Sequence, residues 1–165
     1  MKKIAFLILI SIILSFFNSG CTGYKPIYAT SNLDFKIEDY SIKGDEKLGN
    51  LIYKKLNNIS LSNKNNPEAQ SIVLFIETSK EKKSTVKNSV GKILEYEINL
   101  NTDVNINNYL TDETIMRKNL NYSISYKVQD EHSDTIKLEN QNIENLVSKT
   151  YQDILINILQ STTSK

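Results

Sequence analysis

The sequence predicts an α/β (α+β) fold: a two-layer sandwich of two helices packed on one face of a four-stranded, mostly antiparallel sheet. Three observations predict it. Leu94, Tyr96, Ile98, Leu100, Val104 and Ile106 share one parity, while Glu95, Glu97, Asn99, Asn101, Asp103 and Asn105 share the other, so this stretch is a long strand with one dry face. Met116, Leu120, Tyr122, Ile124, Tyr126 and Val128 repeat the alternation after a turn near 107–113. Ile143, Leu146, Val147, Thr150, Ile154, Leu155 and Ile158 then form a stripe at helical spacing that can cover the dry face.

The remaining elements follow in order. Residues 35–43 (FKIEDYSIK) form a strand whose alternation changes face between Ile37 and Tyr40, which predicts a bulge or bend. Gly44-Asp45 reads as a stop followed by a helix N-cap. Leu48, Leu51, Ile52, Leu56 and Ile59 then place the first helix at 46–58. Residues 60–69 are a polar loop with Pro67. The apolar run SIVLFIET, 71–78, is expected as a central strand buried on both faces. It continues into the polar stretch 79–87, with a hairpin tip at Asn88–Gly91. A polar loop at 129–134 leads to the second helix, placed at 139–160. The order is strand, helix, three strands, helix. A first strand–helix–strand unit with parallel strands would be a right-handed crossover.

The 165 residues suffice for one domain, expected at 35–165. What precedes it has another character. Lys2 and Lys3, the uncharged apolar run 4–17 and the small residues after it have the layout of a secretory signal. The run is shorter than the ~20 residues of a spanning helix. Cys21, the one cysteine, follows Ser19-Gly20, and a single thiol makes no internal disulfide. The placement resembles the lipobox of bacterial lipoproteins, with Asn18 where an aliphatic residue is usual. That resemblance implies cleavage after residue 20, lipidation of Cys21, and a lipidated tether over 21–34. An uncleaved anchor, or ordinary cleavage leaving a spare thiol, are the plainer readings.

Charge and motif content narrow the function. The two lysines of residues 1–20 leave with the signal, so 18 of the 20 Lys and Arg remain against 19 Asp and Glu. That near-neutral balance does not indicate nucleic acid as a partner. No Gly-rich phosphate loop, Gly-x-Ser-x-Gly elbow or paired-His motif is present. His132, the one histidine, stands among Asp130, Glu131 and Asp134, which reads as a solvated loop rather than a metal site. Glu95 and Glu97 share a strand face, as an acid–base pair would, yet surface charge explains them. The expectation is a non-enzymatic protein with no catalytic residues, metal or cofactor. One charge cluster stands out: Lys80, Lys82, Lys83, Lys87 and Lys92 around the hairpin tip. Lysines of this kind protect a sheet edge. The competing reading is a basic finger for an anionic partner, with Lys82, Lys83, Lys87 and Lys92 as the candidate contacts.

Gly23-Tyr-Lys-Pro-Ile-Tyr28, almost directly after Cys21, resembles the start of LptE-type lipopolysaccharide-assembly lipoproteins, notably the short alphaproteobacterial forms; Thr22 is an insertion relative to that pattern. Gly91-Lys-Ile-Leu-Glu-Tyr-Glu-Ile-Asn-Leu100 is similar to a strand motif of the same family, and the order of elements is similar too. The resemblance implies a protein anchored through Cys21 in the outer membrane and facing the periplasm. There it would partner and plug an LptD-type β-barrel and assist delivery of lipopolysaccharide. The alternative is an accessory or scaffold lipoprotein of another envelope complex, with no lipid ligand.

Overall fold

A computed structural model describes residues 34–163. The elements are β1 (Phe35–Gly44), α1 (Glu46–Ser62), β2 (Gln70–Lys87), β3 (Ile93–Asn108), β4 (Thr114–Lys127) and α2 (His132–Thr163). The strands lie side by side in chain order as one sheet. β1 and β2 are parallel, joined through α1, and the two following pairs are antiparallel. Both helices pack on the same side, as the one-sided alternation predicts. The signal segment, Cys21 and nearly all of the tether lie outside the described residues.

The core is made by the even-numbered residues of β2 and β3 against the helix stripes. Leu74, Ile76, Ile98, Leu100, Val104 and Ile106 meet Ile52, Leu56, Val147 and Ile154, all essentially without solvent contact. At roughly 1.5–3 kcal/mol per buried aliphatic side chain, this layer is the main stabilising contribution.

Local chemistry fixes the β1–α1 corner. Gly44 has φ 77°, a left-handed conformation, and an added Cβ there would lie 2.0 Å from the Thr78 carbonyl oxygen. That oxygen accepts from Asp45 N at 2.7 Å, and the Thr78 hydroxyl donates to the Asp45 carbonyl at 2.7 Å. The Asp45 carboxylate accepts from Leu48 N at 3.2 Å, so the expected N-cap forms. The bulge predicted in β1 lies between Ile37 and Asp39. Beside it, on this edge strand, Ile37 N donates to Ser60 Oγ of α1 at 2.8 Å.

Three expectations need correction. β2 is not buried on both faces: Ile72, Leu74, Ile76 and Thr78 are buried, but Phe75 is 40 % exposed and Glu77 is exposed. No element among the described residues covers that side, so the apolar run exceeds what the core takes up. α1 continues to Ser62, since Ile59 and Ser60 keep its buried stripe going. α2 starts at His132 instead of 139. Its first buried positions are Thr135 and Asn142, polar residues that the hydrophobic pattern does not register.

Candidate functional site

The β2–β3 hairpin carries the predicted lysines. β1 accompanies β2 only as far as the pairing of Gly44 with Thr78, so Ser79–Lys87 is an edge of the sheet. The tip is tied at its base. Asn88 N donates to the Lys92 carbonyl at 2.9 Å, and the Asn88 side-chain oxygen accepts from Val90 N and Lys92 N.

Strand alternation separates the four candidate lysines. Lys82 points to the helix side, where it pairs with Glu139 of α2 at 2.5 Å. Its ammonium sits 4.2 Å from the centre of the Tyr96 ring, and Tyr126 donates to the same Glu139 carboxylate at 2.9 Å. Desolvation pulls Lys82 down most strongly as a single influence, but the hydrogen bonds and charges of Glu139 and Tyr126 together outweigh it and leave its pKa raised. Glu139 shows the mirror case: desolvation raises it, and the bonds from Lys82 and Tyr126 hold it below the usual carboxylate range. Lys83 points to the opposite side and pairs in register with Glu97 at 2.9 Å. Lys87 and Lys92, with Lys80, remain exposed and outside any ion pair among the described residues. Near them Val86, Leu94 and above all Val90, which is 84 % exposed, put apolar surface beside positive charge. Two register shifts in this stretch, at Ser84/Val86 and Val86/Lys87, re-aim the side chains.

The uncovered face of the sheet is a second candidate. Pairing sets Ser41, Phe75, Asn105 and Arg117 in one row across all four strands, and Glu77, Asp103 and Asn119 in the next. A hollow of about 200 Å³ opens here, lined by Phe75, Arg117, Lys43, Glu77, Asp103 and Asn105 among others. Further along, Ser79, Glu81, Asn99, Asn101 and Asn121 line another of about 350 Å³. Asn119 donates to both Asn101 and Asp103 at 2.9 Å, which orders part of this surface. The Asn105 side-chain oxygen is buried without a hydrogen-bond partner among the described residues. Sequence reading missed the hollow because Phe75 looked like core; only the register brings it opposite Asn105 and Arg117.

His132 stands exposed in the first turn of α2. Among the described residues, no three His, Cys, Asp or Glu side chains come together as metal ligands. Glu95 accepts from Thr85 Oγ1 at 2.9 Å and Glu97 from Lys83, which accounts for both carboxylates as cross-strand partners.

No protein-family model matches the sequence, and no protein of curated function matches it. Solved structures do match. A provisionally assigned lipoprotein of Caulobacter crescentus aligns over 82 % of this chain and 95 % of its own, at 14 % identity and TM-score 0.58. An uncharacterized lipoprotein B of Nitrosomonas europaea aligns over 81 % and 88 %, at 15 % identity and TM-score 0.57. A minor lipoprotein of Acinetobacter baumannii aligns over 78 % and 93 %, at 13 % identity and TM-score 0.55. The described domain therefore has the fold of these bacterial lipoproteins.

Proposed function

We propose that this chain is a non-enzymatic, lipid-anchored protein of the outer membrane that partners and plugs an LptD-type β-barrel and assists lipopolysaccharide assembly. The observation that carries the reading is the union of a lipobox-like Cys21, the Gly23–Tyr28 segment and a domain with the fold of bacterial lipoproteins. Two or more acyl chains on Cys21, at ~0.8 kcal/mol per buried methylene, hold the chain on a bilayer.

The fold gives this reading a direction. The domain begins at Asp34, whose carbonyl accepts from Gln70 N at the start of β2. The hairpin tip lies at the other end of that 18-residue strand. The described domain thus starts at one end of β2 and carries its basic tip at the other. The long polar flanks suit a barrel lumen lined with polar groups. Of the four candidate lysines, Lys87 and Lys92 are free to meet the phosphates of lipopolysaccharide, with Val90 beside its acyl chains. Lys82 and Lys83 support the hairpin through Glu139 and Glu97.

Depletion of the protein in its own cells tests the function. The expected result is loss of lipopolysaccharide from the cell surface and its accumulation inside. Unchanged surface lipopolysaccharide would contradict the proposal.

A further inference from the structure

The uncovered sheet face has a chemistry unlike the rest of the molecule. Phe75 is an aromatic side chain that stands exposed on it, and it shares a hollow with Arg117, the chain's one arginine. Asp103, Asn105 and Glu77 surround the ring with planar hydrogen-bonding groups of both polarities. Arg117 is in no ion pair among the described residues, so its fork of donors is available. The Asn105 side-chain oxygen is buried and has no hydrogen-bond partner among the described residues, as is the case for Asn107 Oδ1 and Thr102 Oγ1; of the three residues, Asn105 lines this hollow. From Phe75 the face continues through Asp103 to the second hollow, whose lining residues offer amides, a hydroxyl and a carboxylate.

We propose that this face is a saccharide-binding track, with Phe75 as the ring on which one sugar stacks. Arg117, Asp103 and Asn105 hold its hydroxyl or carboxylate groups. A sugar has one side of C–H bonds and a rim of hydroxyls. A single aromatic ring surrounded by amide, carboxylate and guanidinium groups matches both. A protein partner would call for a wider apolar centre than one half-exposed ring. Four alternating positions of β2, Phe75 to Glu81, span about 20 Å at the rise of a strand, the length of a short oligosaccharide. Lys43, Lys118 and Arg117 against Glu77 and Asp103 leave the first hollow with one excess positive charge, which favours a sugar bearing a carboxylate. For the identity of the ligand the proposal rests on the lipopolysaccharide reading: it assigns the hairpin tip to the phosphates and this face to the sugars.

The test is saturation-transfer NMR on the full-length lipidated protein in deuterated detergent. The probe is core oligosaccharide freed of lipid and phosphate, with a neutral glucan tetrasaccharide beside it. The expected result is transfer to the core oligosaccharide, weakened about tenfold in apparent affinity by Phe75→Leu or Arg117→Gln and retained by Phe75→Trp. No transfer, equal transfer from the neutral glucan, or transfer unmoved by Phe75→Leu and Arg117→Gln would each overturn the proposal. Co-purification of a barrel with these variants is scored separately. A barrel that copurifies while the sugar fails to bind sinks the track alone; sugar binding without a barrel sinks the partnership alone.

Discussion

Gly44, Gly49 and Lys82 each tie two elements together, and each gives a measurable consequence. Gly44 combines a left-handed φ with a carbonyl oxygen in the place of a side chain. Gly44→Ala should cost about 2–3 kcal/mol in chemical denaturation, more than the usual Gly-to-Ala effect of the opposite sign. At Gly49 a Cβ would lie 2.4 Å from the Ile42 methyl, so Gly49→Ala is expected to lose about 1–2 kcal/mol even though Ala favours a helix. Glu139 is held below its ordinary pKa in the folded state, so its contribution is present above the unfolded carboxylate value and is lost as pH falls through the folded one. Denaturation midpoints should therefore drop below about pH 4, and less steeply in Glu139→Gln. Lys82 behaves in the opposite sense: its raised pKa contributes stability at neutral pH that is lost only in strong alkali. Most of this was not legible beforehand. Gly44-Asp45 announced its turn and cap, because those chemistries are local. The Lys82–Glu139 pair joins residues 57 apart in sequence, and no pattern in either segment points to the other.

At the scale of elements, the hairpin is where stability and function part. Its lysines looked like one group in the sequence, since a run of charges hides which face each takes. Alternation assigns Lys82 to the helices and Lys83 to Glu97, and leaves Lys87 and Lys92 outside any ion pair among the described residues. Lys87→Gln with Lys92→Gln is therefore expected to weaken lipopolysaccharide binding several-fold at low salt without shifting the unfolding midpoint. The difference should shrink as salt rises, because exposed charges are screened over ~10 Å at 0.1 M. Lys82→Gln should do the reverse, lowering the unfolding free energy by about 1 kcal/mol through loss of a partly exposed pair. Equal binding by the wild type and the Lys87/Lys92 variant would remove the tip from the account. The long alternating strands were readable because one dry and one wet face impose a strict period on 94–106 and 116–128. The start of α2 was not, because Thr135 and Asn142 occupy buried positions with polar side chains. Thr135 accepts from Gln129 N, a use of the hydroxyl that hydropathy does not capture.

For the whole molecule, a one-sided sandwich explains both what the sequence foretold and what it concealed. Two helices cover one face, so a second face of the sheet must meet water or a partner. The continuous run 71–78 suggested burial on both sides, and the absence of a third layer among the described residues turns Phe75 outward instead. That outward face and the basic hairpin tip are separate surfaces of the domain, the tip lying at the opposite end of β2 from Asp34. The measurement that tests the central claim most directly is co-purification. The full-length protein with a C-terminal tag would be extracted in mild detergent, and its companions identified and quantified by mass spectrometry. A large outer-membrane β-barrel in about equal amount is the predicted result; a different envelope complex, or the protein alone, would contradict it.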